Sequence, residues 1–283
     1  MNRQFPKLNH AFNMAFKPGQ MTIGLVAPLE SYPVQGTPTM ERHIENIQLA
    51  DQLGFAAVWL RDVPFNVPSF GDVGQMYDPF VYLGLLSGAT QRIALGVGSL
   101  ILPLRHPAHV AKSAATVDQL SNGRLLLGVA SGDRHDEYPA MGISYHDRGT
   151  RFQDSMHYIR AMADSYPYYQ GMQGHLQGFI DMLPKPTTGH IPMLITGGSA
   201  QPPEWVAEHS DGWITYPRDT INQAQVVNDY RARVAKYHPT DKPVVQSLYI
   251  DLVSDPDTPP RPIHLGFQSG ITFLKSYLSD LQS

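Results

Sequence analysis

A parallel α/β barrel of the (β/α)8 type is the architecture this sequence predicts, and three observations predict it. Short apolar runs rich in β-branched residues alternate with segments of helical periodicity from residue 21 onward, the mark of a parallel sheet with helical crossovers. The 283 residues suit a single barrel, which typically needs roughly 250. The rival, a doubly wound open sheet, wants a Gly-x-Gly-x-x-Gly turn for a dinucleotide. The nearest match is Gly96-Val97-Gly98, and Ile101 stands where the third glycine belongs.

The first strand is read at 21–26, followed by a loop rich in Pro, Gly and Thr at 28–39. Thr39 caps a helix in which Met40, Ile44, Ile47 and Leu53 recur at helical spacing and which Gly54 ends. A strand at 55–60 leads into a long loop at 62–77, and a helix at 78–87 into a strand at 93–102. The next helix, at 107–120, opens on Pro107, whose missing N–H would have no intrahelical acceptor there. A strand at 124–129 and a helix at 148–164 follow, and Gly, Tyr and Gln between 165 and 190 suggest an inserted hairpin. Strands at 191–196, 212–215 and 243–253 then alternate with helices at 203–210, 222–237 and 266–281. This makes seven strands where a closed barrel has eight, so the last β/α unit is expected to be missing at the C-terminal end, unless a strand hides within 165–190. No linker or repeat divides the chain, and one domain over 1–283 is expected.

With 42% hydrophobic and 16% charged residues the chain has the means to bury a core. A net charge of −4 without clustered Lys and Arg argues against a nucleic-acid partner. No window approaches the ~18 apolar residues of a membrane span. Residues 1–19 lack the apolar core and cleavage site of a secretory signal, so a cytoplasmic protein is expected. The absence of cysteine removes disulfides, thiolate metal sites and cysteine nucleophiles together. There is no His-x-His pair and no His-Glu-x-x-His motif, and His106 with His109 is a poor site, so no metal is expected. A glycosidase would need two carboxylates about 5–10 Å apart, and Glu30 with Asp62 or Glu137 offers such a pair in principle.

Three stretches carry more specific information. In the first, His106-Pro107 opens a helix, Asp118-Gln119-Leu120-Ser121 closes it, Gly123-Arg124 makes the turn, and a strand ends in Gly128-Val129-Ala130-Ser131-Gly132. The second runs from Pro192 to Gly197-Gly198-Ser199 and on through Trp205 to Asp211-Gly212, and the third from Leu53 to Trp59. Together they resemble the bacterial luciferase-like flavin monooxygenase family, over about 21–216. The resemblance implies a TIM barrel holding FMN at the carboxyl ends of its strands. It also implies reduced FMN supplied by a separate flavin reductase, O2 as co-substrate, a small organic substrate, and a homodimer formed through the early helices. Relatives that use a deazaflavin coenzyme for hydride transfer keep that alternative open, and a non-catalytic flavin-binding protein is a third reading.

Gly197-Gly198-Ser199 before a helix lets backbone approach an anion closely, while the helix start adds free N–H groups and positive dipole. A plain βα turn that needs glycine is the other account. The resemblance assigns the flavin phosphate to Gly197, Gly198, Ser199, Ala200 and Gln201, and places a non-proline cis peptide at Gly98-Ser99 behind the flavin ring, where a glycine kink closing the barrel is the alternative. It sets Ala130 and Ser131 beside the flavin and makes His106 an active-site histidine, although a His-Pro pair can equally cap a helix. Asp62 orients ring or substrate, or stabilises its loop. Asp133, Arg134, His135, Glu137 and Tyr138 form a polar cluster after a strand, and Tyr138 is expected to stack near the ring. Val63-Pro64 stands where relatives place histidines, which argues against luciferase's aldehyde chemistry.

Overall fold

The computed structural model describes residues 4–30, 36–70 and 77–282, so 31–35 and 71–76, parts of the expected loops at 28–39 and 62–77, lie outside the described residues. In chain order the elements are α1 (His10–Ala15), β1 (Gly24–Val26), α2 (His43–Leu53), β2 (Ala57–Leu60), α3 (Pro79–Ala89), β3 (Ala94–Ile101), α4 (Pro107–Leu120) and β4 (Leu125–Ala130). There follow α5 (Glu137–Ala140), α6 (Arg148–Ala161), β5 (Tyr168–Gly171), β6 (Gly174–Gln177), β7 (Met193–Thr196), α7 (Pro203–His209), β8 (Gly212–Thr215) and α8 (Thr220–Tyr237). The chain closes with β9 (Val244–Gln246), β10 (Tyr249–Leu252), β11 (Arg261–Ile263), β12 (Gly266–Ser269) and α9 (Ile271–Gln282).

Seven strands form one sheet in the order β1-β2-β3-β4-β7-β8-β9, every pairing parallel. The sheet curls until β1 and β9 line opposite sides of one cleft without pairing, which leaves an incomplete barrel of the expected class. The hairpin expected within 165–190 is β5–β6, antiparallel and outside the barrel sheet.

Two expectations near the C-terminus are corrected. The strand read at 243–253 is two strands: β9 completes the barrel sheet, whereas β10 joins β12 and β11 in a separate three-stranded sheet. The helix read from 266 begins only at Ile271, because Gly266–Ser269 pair with Tyr249–Leu252. A Cβ at Gly266 would overlap the Tyr249 carbonyl, so glycine is what lets the two backbones approach. Short apolar runs do not reveal which sheet they will join.

One apolar core fills the space between the sheet and its helices, and a smaller one occupies the barrel interior. In the interior the Trp59 indole lies where a Cβ on Gly96 would be, so the bulky strand residue and the glycine opposite it fit only as a pair. The short α1, which periodicity did not reveal, closes the bottom of the barrel with Ala11, Phe12 and Ala15. Asn9 caps it, accepting the Phe12 N–H, while its Nδ2 donates to Asp118 Oδ1 (3.0 Å) and the Leu125 carbonyl (2.7 Å). The buried Arg124 guanidinium donates to the carbonyls of Ser87, Thr90, Ser121 and Ile93 and to Thr90 Oγ1, tying α3, β3 and β4 together at the same end. Asp118 and Arg124, conspicuous in the sequence, therefore fasten the barrel base. Among the described residues no helix is long and apolar enough to cross a membrane.

Candidate functional site

The cleft between β1 and β9 has a volume of about 2330 Å³ and reaches the carboxyl ends of the strands, where barrel chemistry is sited. Its wall there includes Asp62 after β2, Gly98 and Ser99 in β3, Asp133, Arg134 and Glu137 after β4, Thr196 at the end of β7 and Tyr216 after β8. The Gly98–Ser99 peptide is cis, at the position expected. The β3–β4 register shifts between Val97 and Leu100, which takes Gly98 and Ser99 out of the ladder and presents them to the cleft.

Asp62 is buried and fully engaged. It accepts the Ile101 N–H (3.0 Å) and two hydrogen bonds from Arg105, Nε at 3.1 Å and Nη2 at 2.7 Å, while Arg105 also reaches Asp78 (2.8 Å). The two carboxylates hold the guanidinium charged, raising its already high pKa further against the cost of burial. Asp62 thus reaches the cleft, and its hydrogen bonds serve to fix the ends of β2 and β3 to each other.

His106 and Tyr138 lie elsewhere than expected. The His106 ring is exposed, caps α4 by accepting the Ala108 N–H (3.2 Å), packs edge-on to His109 and Tyr158, and is not part of the cleft wall. Tyr138 has no exposed surface: its hydroxyl donates to the Ser131 carbonyl and its ring packs edge-on to Tyr145. Desolvation pushes its pKa well above that of a free phenol. A ring so enclosed cannot stack on a flavin in the cleft; it supports the end of β4 from behind. Ala130 pairs with Ile101 beside the bulge and Ser131 is buried, and neither is part of the cleft wall.

The turn after β7 needs a second correction. Helix α7 opens on Pro202 and Pro203, which have no N–H, and the Glu204 carboxylate accepts its own backbone N–H. The helix start thus lacks two of the donors expected of it and has a third taken by Glu204, whose negative charge opposes the positive end of the helix. The Ser199 hydroxyl donates inward to the Thr196 carbonyl (2.7 Å). Gln201 is likewise committed, its N–H to the Gly198 carbonyl (2.8 Å) and its side chain to Gly149 and Gln153. What remains is backbone: the N–H groups of Gly198, Ser199 and Ala200 have no acceptor among the described residues. Gly197, Ser199 and Ala200 have φ of 55°, 47° and 56°, the left-handed conformation for which glycine is the natural residue.

Sequence reading missed the partner of this turn. Gly149, in the first turn of the 14-residue α6, is so close to Ala200 that a Cβ on it would lie 3.1 Å from the Ala200 carbonyl oxygen. The neighbouring Arg148 stacks 3.9 Å from the Tyr145 ring centroid, and its Nε is buried without a hydrogen bond. Thr196 Oγ1, at the cleft wall beside the turn, is also buried without one. The signal for Thr196 was its place as the last strand residue before Gly197; nothing local marked Arg148. In the polar cluster after β4, His135 and Asp136 are solvated, whereas Arg134 and Glu137 are buried at the cleft.

Relatives carry this geometry further. An uncharacterised protein of Mycobacterium tuberculosis is 38% identical over 145 residues, which are 50% of this chain and 51% of the relative. The oxygenase component of a flavin-dependent trigonelline monooxygenase from Acinetobacter baylyi is 30% identical over 169 residues, 58% of this chain and 42% of the relative. This chain spans about half the length of the curated relatives it matches. Two solved structures share the fold. The oxygenating constituent of 3,6-diketocamphane monooxygenase from Pseudomonas putida, in complex with FMN, has a TM-score of 0.68 at 15% identity, covering 82% of this chain and 68% of that one. An F420-dependent secondary alcohol dehydrogenase in complex with an F420-acetone adduct has a TM-score of 0.67 at 21% identity, covering 83% and 71%. The sequence profile of the luciferase-like monooxygenases matches residues 21–257, and with that match across most of its length the chain belongs to the luciferase-like monooxygenase family.

Proposed function

We propose that this protein binds FMN in the barrel mouth and, with reduced FMN supplied by a separate flavin reductase in the cytoplasm, uses O2 to oxygenate a small organic substrate. The observation that carries the reading is a set of polar groups without partners at the carboxyl end of β7: Thr196 Oγ1 on the wall of the cleft that Gly98 and Ser99 also line, and the N–H groups of Gly198, Ser199 and Ala200 in the turn that follows, next to that wall rather than on it. Those groups fit a flavin mononucleotide. The N–H groups of Gly198, Ser199 and Ala200, with Arg148, would hold the phosphate; Thr196 Oγ1 would bond the flavin; Gly98 and Ser99 would back the ring, with Ala130 and Ser131 beside them. Bound reduced flavin supplies the electrons for oxygen chemistry, while the protein's residues bind, orient and exclude water. Asp62, by fixing Arg105 and the Ile101 N–H, keeps the strand ends in register around the ring. The relative named as an oxygenase component supports a separate reductase.

A second reading, hydride transfer with a deazaflavin, is favoured by the likeness to the F420-dependent dehydrogenase. Titration of the purified protein with FMN, reduced FMN and coenzyme F420, followed by flavin fluorescence, separates the two. Binding of FMN or its reduced form with substrate-dependent O2 uptake is the expected result. Binding of F420 alone transfers the assignment to hydride transfer, and binding of none of them ends both readings.

A further inference from the structure

The acidic side chains around the cleft are not equivalent. Glu30 is spent on the N–H groups of Thr39 and Met40 and on the Thr39 hydroxyl, and Asp62 on Ile101 and Arg105. Asp133 is exposed to solvent. Glu137, at the start of α5, lines the cleft and yet is only 2% exposed. Its carboxyl accepts the Phe65 N–H, but Oε1 is buried without a hydrogen bond, and the nearest cation, Arg134 Nη1, stands 3.7 Å away. That is ion-pair range and beyond a hydrogen bond. The Arg134 guanidinium itself lies over the Phe70 ring, 4.6 Å from its centroid.

The charged groups that face Glu137 are Arg134 and Asp133 from its own loop and Asp62 from the end of β2. Burial acts first and favours the neutral acid; Asp62 and Asp133 act in the same direction, and Arg134 and the Phe65 N–H oppose them. The outcome is a carboxyl whose pKa is raised above the ordinary glutamate value.

We propose that Glu137 is a proton-carrying catalytic residue of this cleft, passing a proton from Oε1 to the oxygen atom that leaves the oxygenation as water. The inference rests on the oxygenase reading above. In the step the carboxyl O–H bond breaks and an O–H bond forms on the departing oxygen. The electrons that reduce that oxygen come from reduced flavin, and solvent in the cleft returns a proton to Oε1. A carboxyl that holds its proton to higher pH than an ordinary glutamate is suited to this work, because a general acid must carry its proton when the reaction calls for it.

Glu137→Gln tests it, since the amide oxygen can still accept the Phe65 N–H. Turnover is expected to fall about a hundredfold or more, with FMN affinity changed by less than threefold, and the alkaline limb of the kcat/KM profile is expected to disappear. Infrared difference titration of the flavin-free protein gives a readout apart from activity. A protonated-carboxyl band should persist above the pH at which ordinary glutamates ionise, and E137Q should lack it. A Glu137 that ionises where ordinary glutamates do, or an E137Q profile that keeps its alkaline limb, overturns the role of Glu137 while retained FMN binding and O2 uptake leave the oxygenase reading standing. Absence of flavin binding removes that reading and this step with it.

Discussion

Three hydrogen bonds converge on the Asp62 carboxylate, two of them from one guanidinium, and this bidentate geometry is specific to an anion. An amide cannot accept both, so Asp62→Asn is expected to destabilise the fold by about 2 kcal/mol. That is below the roughly 3–5 kcal/mol for breaking a fully buried pair, because the Arg105 side chain is a quarter exposed and keeps Asp78. A urea midpoint that falls at unchanged m-value is the measurement; a midpoint equal to wild type would show the pair to be dispensable. His43 makes a prediction about pH. Its buried Nε2 accepts the Leu29 N–H (3.1 Å) and its Nδ1 meets the Tyr82 hydroxyl (2.9 Å), so the folded protein needs the ring neutral. Burial lowers its pKa from 6.5, against a smaller opposing pull from Glu30. With the folded value below the unfolded one, the unfolded chain binds the extra proton first. Stability from this residue is therefore complete above about 6.5 and is lost as pH falls toward the lowered folded value. Unfolding midpoints measured between pH 7 and 5 should fall more steeply for wild type than for His43→Asn.

At the scale of elements, the turn between β7 and α7 was legible in part. Glycines after a strand announced a backbone-lined turn, and unpaired N–H groups are there. The proline pair and Glu204, which remove or occupy three of the donors at the helix start, were equally visible in the sequence, and their chemistry weakens the general rule about helix termini here. Because the Ser199 hydroxyl is turned toward Thr196, Ser199→Ala should cost about 1 kcal/mol of stability and leave FMN affinity within about threefold of wild type. A tenfold or larger loss of affinity in a fluorescence titration would show the hydroxyl to bind the ligand directly. The cis bond in β3 was located by resemblance alone. What only the folded sheet shows is the register shift that turns Gly98 and Ser99 toward the cleft. His106 had two possible fates, and neighbouring elements decide between them: its ring packs outward against Tyr158 of α6.

For the whole molecule, the exposed apolar residues on α2 and α3 bear on assembly. Leu53 is 67% and Val81 76% exposed, and Leu49 and Leu85 are also largely exposed. Exposed apolar side chains on neighbouring helices suit a partner surface, and we propose pairing of two copies through α2 and α3. Sedimentation equilibrium should show a dimer for wild type and a monomer for Leu53→Glu combined with Val81→Glu. A wild type that is monomeric throughout the concentration series would remove the inference. The open seam between β1 and β9 is the other molecular feature, and it places the barrel interior, Trp59 and Ile214 included, on the wall of the same cleft as the candidate site.

The order and kind of the barrel elements were determined by the sequence alone, because each depends on the period of apolar residues over a few turns or a few strand positions. The same holds for the inserted hairpin. Tertiary structure alone decided which polar groups are already spent. Asp62 meets an arginine 43 positions away, Gln201 bonds Gly149 52 positions back, and the Tyr138 ring disappears behind β4. It also decided that the last strands leave the barrel for a sheet of their own. Periodicity is a property of neighbours along the chain, whereas burial and hydrogen-bond satisfaction belong to neighbours in space.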